Sequence, residues 1–444
     1  MLITISSVLT VLSLVIFLYC LLDNKFRLDF YTAFVGFFVF IYFVVSFFII
    51  ANKSVFYESD ANWRHILMTA SGNQQAWALI LAFLFLIGFM FSYKSSKYLF
   101  LERGEAFYRF QRFLNDNSTF IGIILLFFGG MSFLLYSTTV GGIRSALFDA
   151  QAIRSGVIQG EGALTFFKHF MRLSYVGSFF IFSSLLFGKR NILNYSLFLV
   201  ALLICTIVGW AYAGRANFLT FLLVFFVYRL VASPIRRKDL LFLVLSISVA
   251  FFILAYMRPF IVYLSGRENE ITFSAFDFFQ RVMVSFSVVY TSFVAVITNL
   301  PIDDIFMGKG ALLAIPNIIP KNLTGLEHFY TINNAHTELF GFIVDERRYT
   351  ITAGVLSYFF FEFYYIGLLL GAGICGAVVR LFQSYLYNTA SFSALRLVLV
   401  YVIIKTPAYI VNSDPASIFV SEFPILISLL FLFIISQISR RRCV

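Results

Sequence analysis

The chain of 444 residues is poor in charge: Asp, Glu, Lys and Arg make up 12% of it, against about 25% in a typical soluble domain. That shortage excludes an ordinary water-soluble enzyme or binding module. Cysteine and histidine are equally scarce, with 4 of each. Cys20, Cys205 and Cys375 stand in apolar runs and Cys443 in the tail, so no disulfide framework is written into the spacing. The histidines, at 65, 169, 328 and 336, lack ligand spacing and no HExxH occurs, so no metal site is expected. A Walker motif and a GxSxG elbow are missing, and the one GxGxxG match, Gly371 to Gly376, lies inside the apolar run 353–379 rather than at a strand-to-helix turn, which speaks against nucleotide, dinucleotide and serine-hydrolase chemistry. No cofactor is expected.

What the chain has in quantity is apolar surface: 60% hydrophobic residues, 60 phenylalanines and a mean hydropathy of +0.89. Many membrane spans account for this better than one large core. Apolar runs of spanning length predict about eleven transmembrane helices: 2–22, 30–50, 77–93, 119–137, 173–188, 192–213, 218–235, 240–257, 353–379, 395–411 and 417–436. In hydrocarbon these must be helices, because only a helix satisfies its backbone within one segment. The first run has no basic leader and no small-residue cleavage site, so it reads as a retained span. The expected fold is an all-α polytopic integral membrane protein, a single membrane domain over 1–444.

The net charge of +11 at first points to nucleic acid, but topology accounts for it better. Basic residues crowd short connectors at Lys25 and Arg27, at Lys94, Lys97, Arg103, Arg109 and Arg112, at Lys189 and Arg190, and at Arg236, Arg237 and Lys238. Arg440, Arg441 and Arg442 form the tail. Eleven spans with the N-terminus outside put all of them in the cytoplasm together. The same parity makes 281–300 an extracytoplasmic helix on or near the outer surface. Two long outer segments result, 138–172 and 258–352, and loops of that length usually carry function.

The stretch GWAYAGRANFLTF, residues 209–221, breaks some forty apolar residues with one arginine. At the outer membrane face Arg215 offers a planar fork of donors suited to a lipid phosphate or pyrophosphate, with Asn217 beside it. An arginine snorkelling to phospholipid headgroups is the plainer reading. Other cations are expected on the same face: Arg144 and Arg154 in the first outer segment, Lys168 and Arg172 one helical turn apart, Arg258 after span eight, and Arg281. Lys405 differs, lying inside VLVYVIIKTPAYIV beside Pro407. A lysine there should face the bundle interior and find a partner or ligand. Asp414 is one candidate partner, and Glu362 and Glu422 are the other acids near late spans. In the long segment, HFYTINNAHTELFGF offers His336 and Glu338 as general bases.

The layout resembles the Wzy-type polymerases of bacterial surface polysaccharide, the oligosaccharide repeat unit or O-antigen polymerases. The resemblance rests on GGIR and a second arginine in the first outer segment, the GRAN hairpin, ALLAIPNIIPKN in the late loop, and TITAGVLSYFFFEFYYIGLLLGAGICG leading into the next span. Two family features depart: the arginine-to-glycine spacing misses by one at Arg144 and Gly156, and Asn317 stands where the family has arginine.

The resemblance implies a glycosyltransferase of the bacterial inner membrane, with a periplasmic N-terminus and cytoplasmic C-terminus. It would pass a growing glycan from undecaprenyl pyrophosphate to an acceptor hydroxyl on the next lipid-linked repeat unit. Arg215, with Arg144, Arg154, Arg258, Arg281, Arg172 and Lys405, would neutralise the departing pyrophosphate. His336 and Glu338, then Asp414, would take the acceptor proton. Phe329, Tyr330, Tyr349 and Tyr358 would stack on sugar rings. A chain-length regulator in the membrane is the expected protein partner, and nucleic acid is not. The alternatives are an O-antigen ligase using the same donor, and a flippase or transporter of lipid-linked sugars. The second is opposed by the lack of a sequence repeat and of charge lining the midplane.

Overall fold

The computed structural model describes residues 1–25, 27–52, 70–96, 105–154, 158, 160, 162–186, 191–211, 215–228, 230–231, 241, 245, 275–301, 304–314, 331–339, 352–389 and 393–438. The described residues are about 87% helical and contain no strand, only an isolated bridge between Leu28 and Val231. The protein is an all-α polytopic membrane protein.

The longer helices among the described residues are α1 (Leu2–Asp23), α2 (Phe30–Ala51), α3 (Gly72–Ser95), α4 (Glu105–Asp116), α5 (Ser118–Thr139), α6 (Leu173–Leu186), α7 (Ile192–Ala211), α8 (Arg215–Val227), α9 (Ala275–Asn299), α10 (Ile332–Leu339), α11 (Val355–Tyr387), α12 (Ala394–Val411) and α13 (Pro415–Ile438). Eight of them are long and apolar enough to cross a bilayer: α1, α2, α3, α5, α7, α11, α12 and α13. Of the other runs expected to span, 173–188 is the 14-residue helix α6 and 218–235 falls on the 13-residue helix α8. The run 240–257 lies outside the described residues apart from positions 241 and 245.

Local chemistry sets several of these boundaries. Asp29 caps α2 by accepting from the Thr32 backbone N–H at 2.9 Å, while Thr32 Oγ1 accepts from the Asp29 N–H at 2.9 Å. Ser71 and Gln74 make the same reciprocal box at the start of α3. Each box satisfies two amide groups that a helix start otherwise leaves unpaired.

With apolar lipid outside, helices associate by close fit and by polar contacts rather than by exclusion from water. Helix α5 meets α6 at Gly122 and Gly177, where a methyl group on Gly177 would sit 2.7 Å from the Leu126 amide nitrogen. Backbone cannot yield as a side chain can. Gly177→Ala is therefore expected to lower stability by about 1–3 kcal/mol. Gly130→Ala, whose methyl group would meet nothing nearer than 3.9 Å, should be neutral or stabilising. Thermal unfolding of both variants in detergent checks this, and equal melting temperatures would refute it.

Two ends of the bundle can be distinguished. One, the Lys94 end, gathers the close of α1, α3 and α11 with the start of α2 and the surface helix α4, tied by Gln111 Nε2 donating to the Asn388 carbonyl at 3.1 Å. At the opposite, Met1 end the Ser413 N–H donates to the Ala353 carbonyl at 3.0 Å, and Trp210 Nε1 donates to the Leu147 carbonyl at 3.1 Å. Leu147 in the segment 138–172 and Asn333 in 258–352, which accepts from the Ala353 N–H, therefore lie at the same end.

Helix α9 packs against other helices: from Ser287 to Val296 every residue but Val288 is buried, with Tyr290 reaching the Gln75 carbonyl and Ser292 paired with Ser357. The Ser and Thr residues that looked like a surface signature are the polar contacts by which it packs. Helix α11 is interrupted at Phe363 and Tyr364, the latter at φ 57. The break frees the carbonyls of Phe361 and Glu362, which accept instead from the Phe306 and Met307 N–H groups at 2.9 and 2.8 Å. A helix can break at membrane depth only where protein meets the exposed backbone in this way.

Candidate functional site

Helices α12 and α13 form an antiparallel hairpin at the Met1 end. Lys405 precedes Val411 by six residues and Glu422 follows Pro415 by seven, so each lies about 9–10 Å from the hairpin turn at 1.5 Å per residue. At this shared depth Lys405 Nζ is in close contact with Glu422 Oε1. Arg172, just ahead of α6, comes in from the side: one of its terminal nitrogens (NH1) lies 3.4 Å from Glu422 Oε1 and donates to the Ser421 carbonyl at 2.6 Å. Ser421 Oγ donates to the same carboxylate oxygen at 3.1 Å. The ammonium of Lys405 also stands 5.0 Å from the Tyr401 ring centre. The Lys405, Glu422 and Arg172 side chains are only 5, 11 and 12% exposed. Among the described residues two largely buried cations thus share one carboxylate, where an unpaired charge would be costly.

The turn leading into α6 adds more basic residues. Lys168 lies over the Tyr136 ring at 5.7 Å. His169 is held well below the usual histidine range, to about 4, by burial first and then by the neighbouring Arg172 and Lys168 charges. It is neutral at physiological pH and can serve as a hydrogen-bonding group without adding charge.

A second polar group lies where α10, α11 and the hairpin turn converge. Asn333 accepts from the Ala353 N–H at 2.8 Å and reaches Asn412 at 3.5 Å. His336, one turn further along α10, is fully buried with its ring edge-on to Phe361. Glu338, on the same helix, is exposed. Asp414 is buried at the hairpin turn, its carbonyl accepting from the Ile418 N–H at 3.1 Å. Glu362 is buried and fully engaged, accepting from the N–H groups of Gly308 and Ala311 at 2.7 and 2.9 Å and from the Tyr358 hydroxyl at 2.9 Å.

Of the residues singled out in the sequence, Arg172 and Lys405 are brought together. The partner of Lys405 is Glu422, where Asp414 had been a candidate, because the hairpin matches depth and not proximity in sequence. Arg144 is exposed near the start of the short helix Ile143–Phe148, apart from this cluster. For Arg154, Arg215, Asn217 and Arg281 only the backbone is described: Arg154 ends the helix Ala150–Arg154, Arg215 and Asn217 open α8, and Arg281 lies in the first half of α9. Arg258, Phe329, Tyr330 and Tyr349 lie outside the described residues. Tyr358, expected to stack on sugars, is 4% exposed and spends its hydroxyl on Glu362. The residue that sequence reasoning left out of the site is Glu422. An acid at matched depth on the adjoining span was the signal for it. No family model, curated protein or solved structure matches this chain.

Proposed function

We propose that this protein is a glycosyltransferase that extends a polysaccharide on a lipid pyrophosphate carrier, as a Wzy-type polymerase does, at the Met1 end of the bundle. The observation that carries the reading is the buried Arg172–Glu422–Lys405 cluster, in which two cations share one carboxylate among the described residues, set about 9–10 Å below the helix ends. A site at that depth suits a pyrophosphate tethered to a lipid tail, with sugars projecting past the membrane surface.

In the reaction, an acceptor hydroxyl oxygen bonds to the anomeric carbon of the donor glycan. The bond from that carbon to the carrier's pyrophosphate oxygen breaks, and the pyrophosphate leaves with the electron pair. Arg172 and Lys405 counter the charge gathering on it, and Glu422 holds both cations in position. Positioned charge in a water-poor site stabilises such a transition state far more than it would in water. The acceptor proton needs a base. Glu338, exposed on α10, can meet a substrate without rearrangement, whereas His336 and Asp414 are buried. Arg215, in the first turn of α8, opens a helix at the same end.

The test is reconstitution of the purified protein with lipid-linked oligosaccharide repeat units, with products resolved by gel. Wild type should yield a ladder of lengths, and Arg172→Gln should lower its rate by about 10²-fold or more. Failure of folded wild-type protein to lengthen authentic substrate would overturn the proposal. A ladder unchanged in Arg172→Gln and Lys405→Gln would keep the enzyme but remove this cluster from it. Transfer of finished glycan to a different lipid, with no ladder, would identify a ligase.

A further inference from the structure

At the Lys94 end, far from the Arg172 cluster, a cavity of about 300 Å³ opens between the close of α1, the start of α2, and the ends of α3 and α11. Two cations line it, Lys94 and Arg380, together with Tyr31, Tyr93, Tyr387 and the rim carboxylate of Asp23. One nitrogen of the Arg380 guanidinium (NH1) donates to the Tyr93 hydroxyl at 3.2 Å and its carbon stands 5.2 Å from the Tyr93 ring centre. Lys94 Nζ lies 5.5 Å from the Tyr19 ring. Neither cation makes an ion pair among the described residues.

The buried carboxylate at this end forms no ion pair with either cation among the described residues. Asp29, beneath the cavity, is 0% exposed and already takes hydrogen bonds from the Thr32 N–H, Asn24, Gln383 and Tyr387. The cavity therefore presents a preset guanidinium, an ammonium and the Tyr93 hydroxyl, which accepts from Arg380 and keeps its own proton to donate, at the depth where helix ends meet headgroups. Donor-rich, cationic clefts between helix ends hold phosphate groups, and the guanidinium fork matches phosphate oxygens two at a time. Asp23 at the rim is placed to accept from a hydroxyl on the same ligand.

We infer that this cavity is a binding site for a phosphate ester bearing hydroxyl groups, held by Arg380 and Lys94. The ester can reach it as a lipid headgroup in the adjoining leaflet or as a free molecule, and two probes separate these sources. Delipidated full-length protein is titrated with phosphatidylglycerol and, separately, with glycerol 3-phosphate, and adducts are counted by native mass spectrometry. Arg380→Gln and Lys94→Gln should each weaken the tightest adduct by about tenfold, the value of one charge-assisted hydrogen bond. Arg380→Lys should lose part of the binding, because charge remains but the fork does not. Arg112→Gln, on the exposed face of α4 with its side chain 86% exposed, should leave binding intact and controls for surface charge. Saturable binding of the lipid alone makes the site a headgroup seat, and binding of both probes makes it a general phosphate-ester site. Binding of neither probe to wild type, or binding unaffected by both Gln substitutions, overturns the inference.

Discussion

Glu422→Ala is expected to be among the most damaging single substitutions in this chain, costing about 3–5 kcal/mol of stability. Removing the carboxylate leaves Lys405 and Arg172, both largely buried, without the Glu422 charge they share. The Ser421 hydroxyl loses one of its two acceptors and keeps the Ile418 carbonyl. Breaking a buried pair costs much more than replacing it, since the remaining charge keeps its desolvation penalty. Two companions make the test specific. Glu422→Gln, which keeps hydrogen-bonding capacity without charge, should fall between wild type and Ala. The double variant Lys405→Met with Glu422→Leu should recover part of the lost stability, because one cation rather than two then lacks Glu422 and Arg172 retains the Ser421 carbonyl. If the cluster acts on an anionic substrate, that rescued protein will remain inactive in the reconstituted assay. Unfolding in detergent, followed by intrinsic fluorescence, reads the stability arm. An Ala variant as stable as wild type would show that the three charges are not coupled.

Glu362→Ala should rank beside it, at about 3 kcal/mol or more. Its carboxylate accepts from two backbone N–H groups and one hydroxyl while 2% exposed, and alanine would leave all three donors without an acceptor. Each buried donor so orphaned costs roughly 1–3 kcal/mol. The position matters beyond the count, because these bonds fasten the segment 304–314 across the break in α11. Loss of the carboxylate should loosen that segment first. Limited proteolysis is therefore expected to cut within 304–314 in Glu362→Ala at protease levels that spare wild type. Glu362→Gln keeps one acceptor oxygen but turns an NH₂ group toward a backbone donor, and should lie between. Unchanged proteolysis and melting in both variants would show that the segment is held by something other than Glu362.

Much of the helical framework was legible in the sequence, because a bilayer admits few backbone solutions. Apolar runs near 20 residues become helices wherever they lie in hydrocarbon, whatever their neighbours. Eight of the expected runs correspond to helices long and apolar enough to span. The capping boxes at Asp29 and Ser71 are equally local and can be read from four residues. Helix α9 was not legible in the same way. Its mixture of Ser, Thr and apolar residues suits a membrane surface or a polar packing interface equally, and only neighbours such as Ser357 and Gln75 separate the two.

The polar sites divide along the same line. That Lys405 requires a partner follows from one residue in an apolar run, since an isolated ammonium in hydrocarbon is too costly to leave unpaired. The identity of that partner does not follow from one residue. Asp414 is nearer in sequence, but the antiparallel hairpin brings Glu422 to the matching depth, and Arg172 arrives from 250 positions away. The fully engaged Glu362 and the cavity between Lys94 and Arg380 are likewise products of assembly, each joining helices far apart in the chain. Hydropathy acts residue by residue against the solvent, so the sequence alone determined a helical membrane protein with charge that had to be paired. Pairing acts between helices through distance and orientation, and only the tertiary structure decided which charges meet.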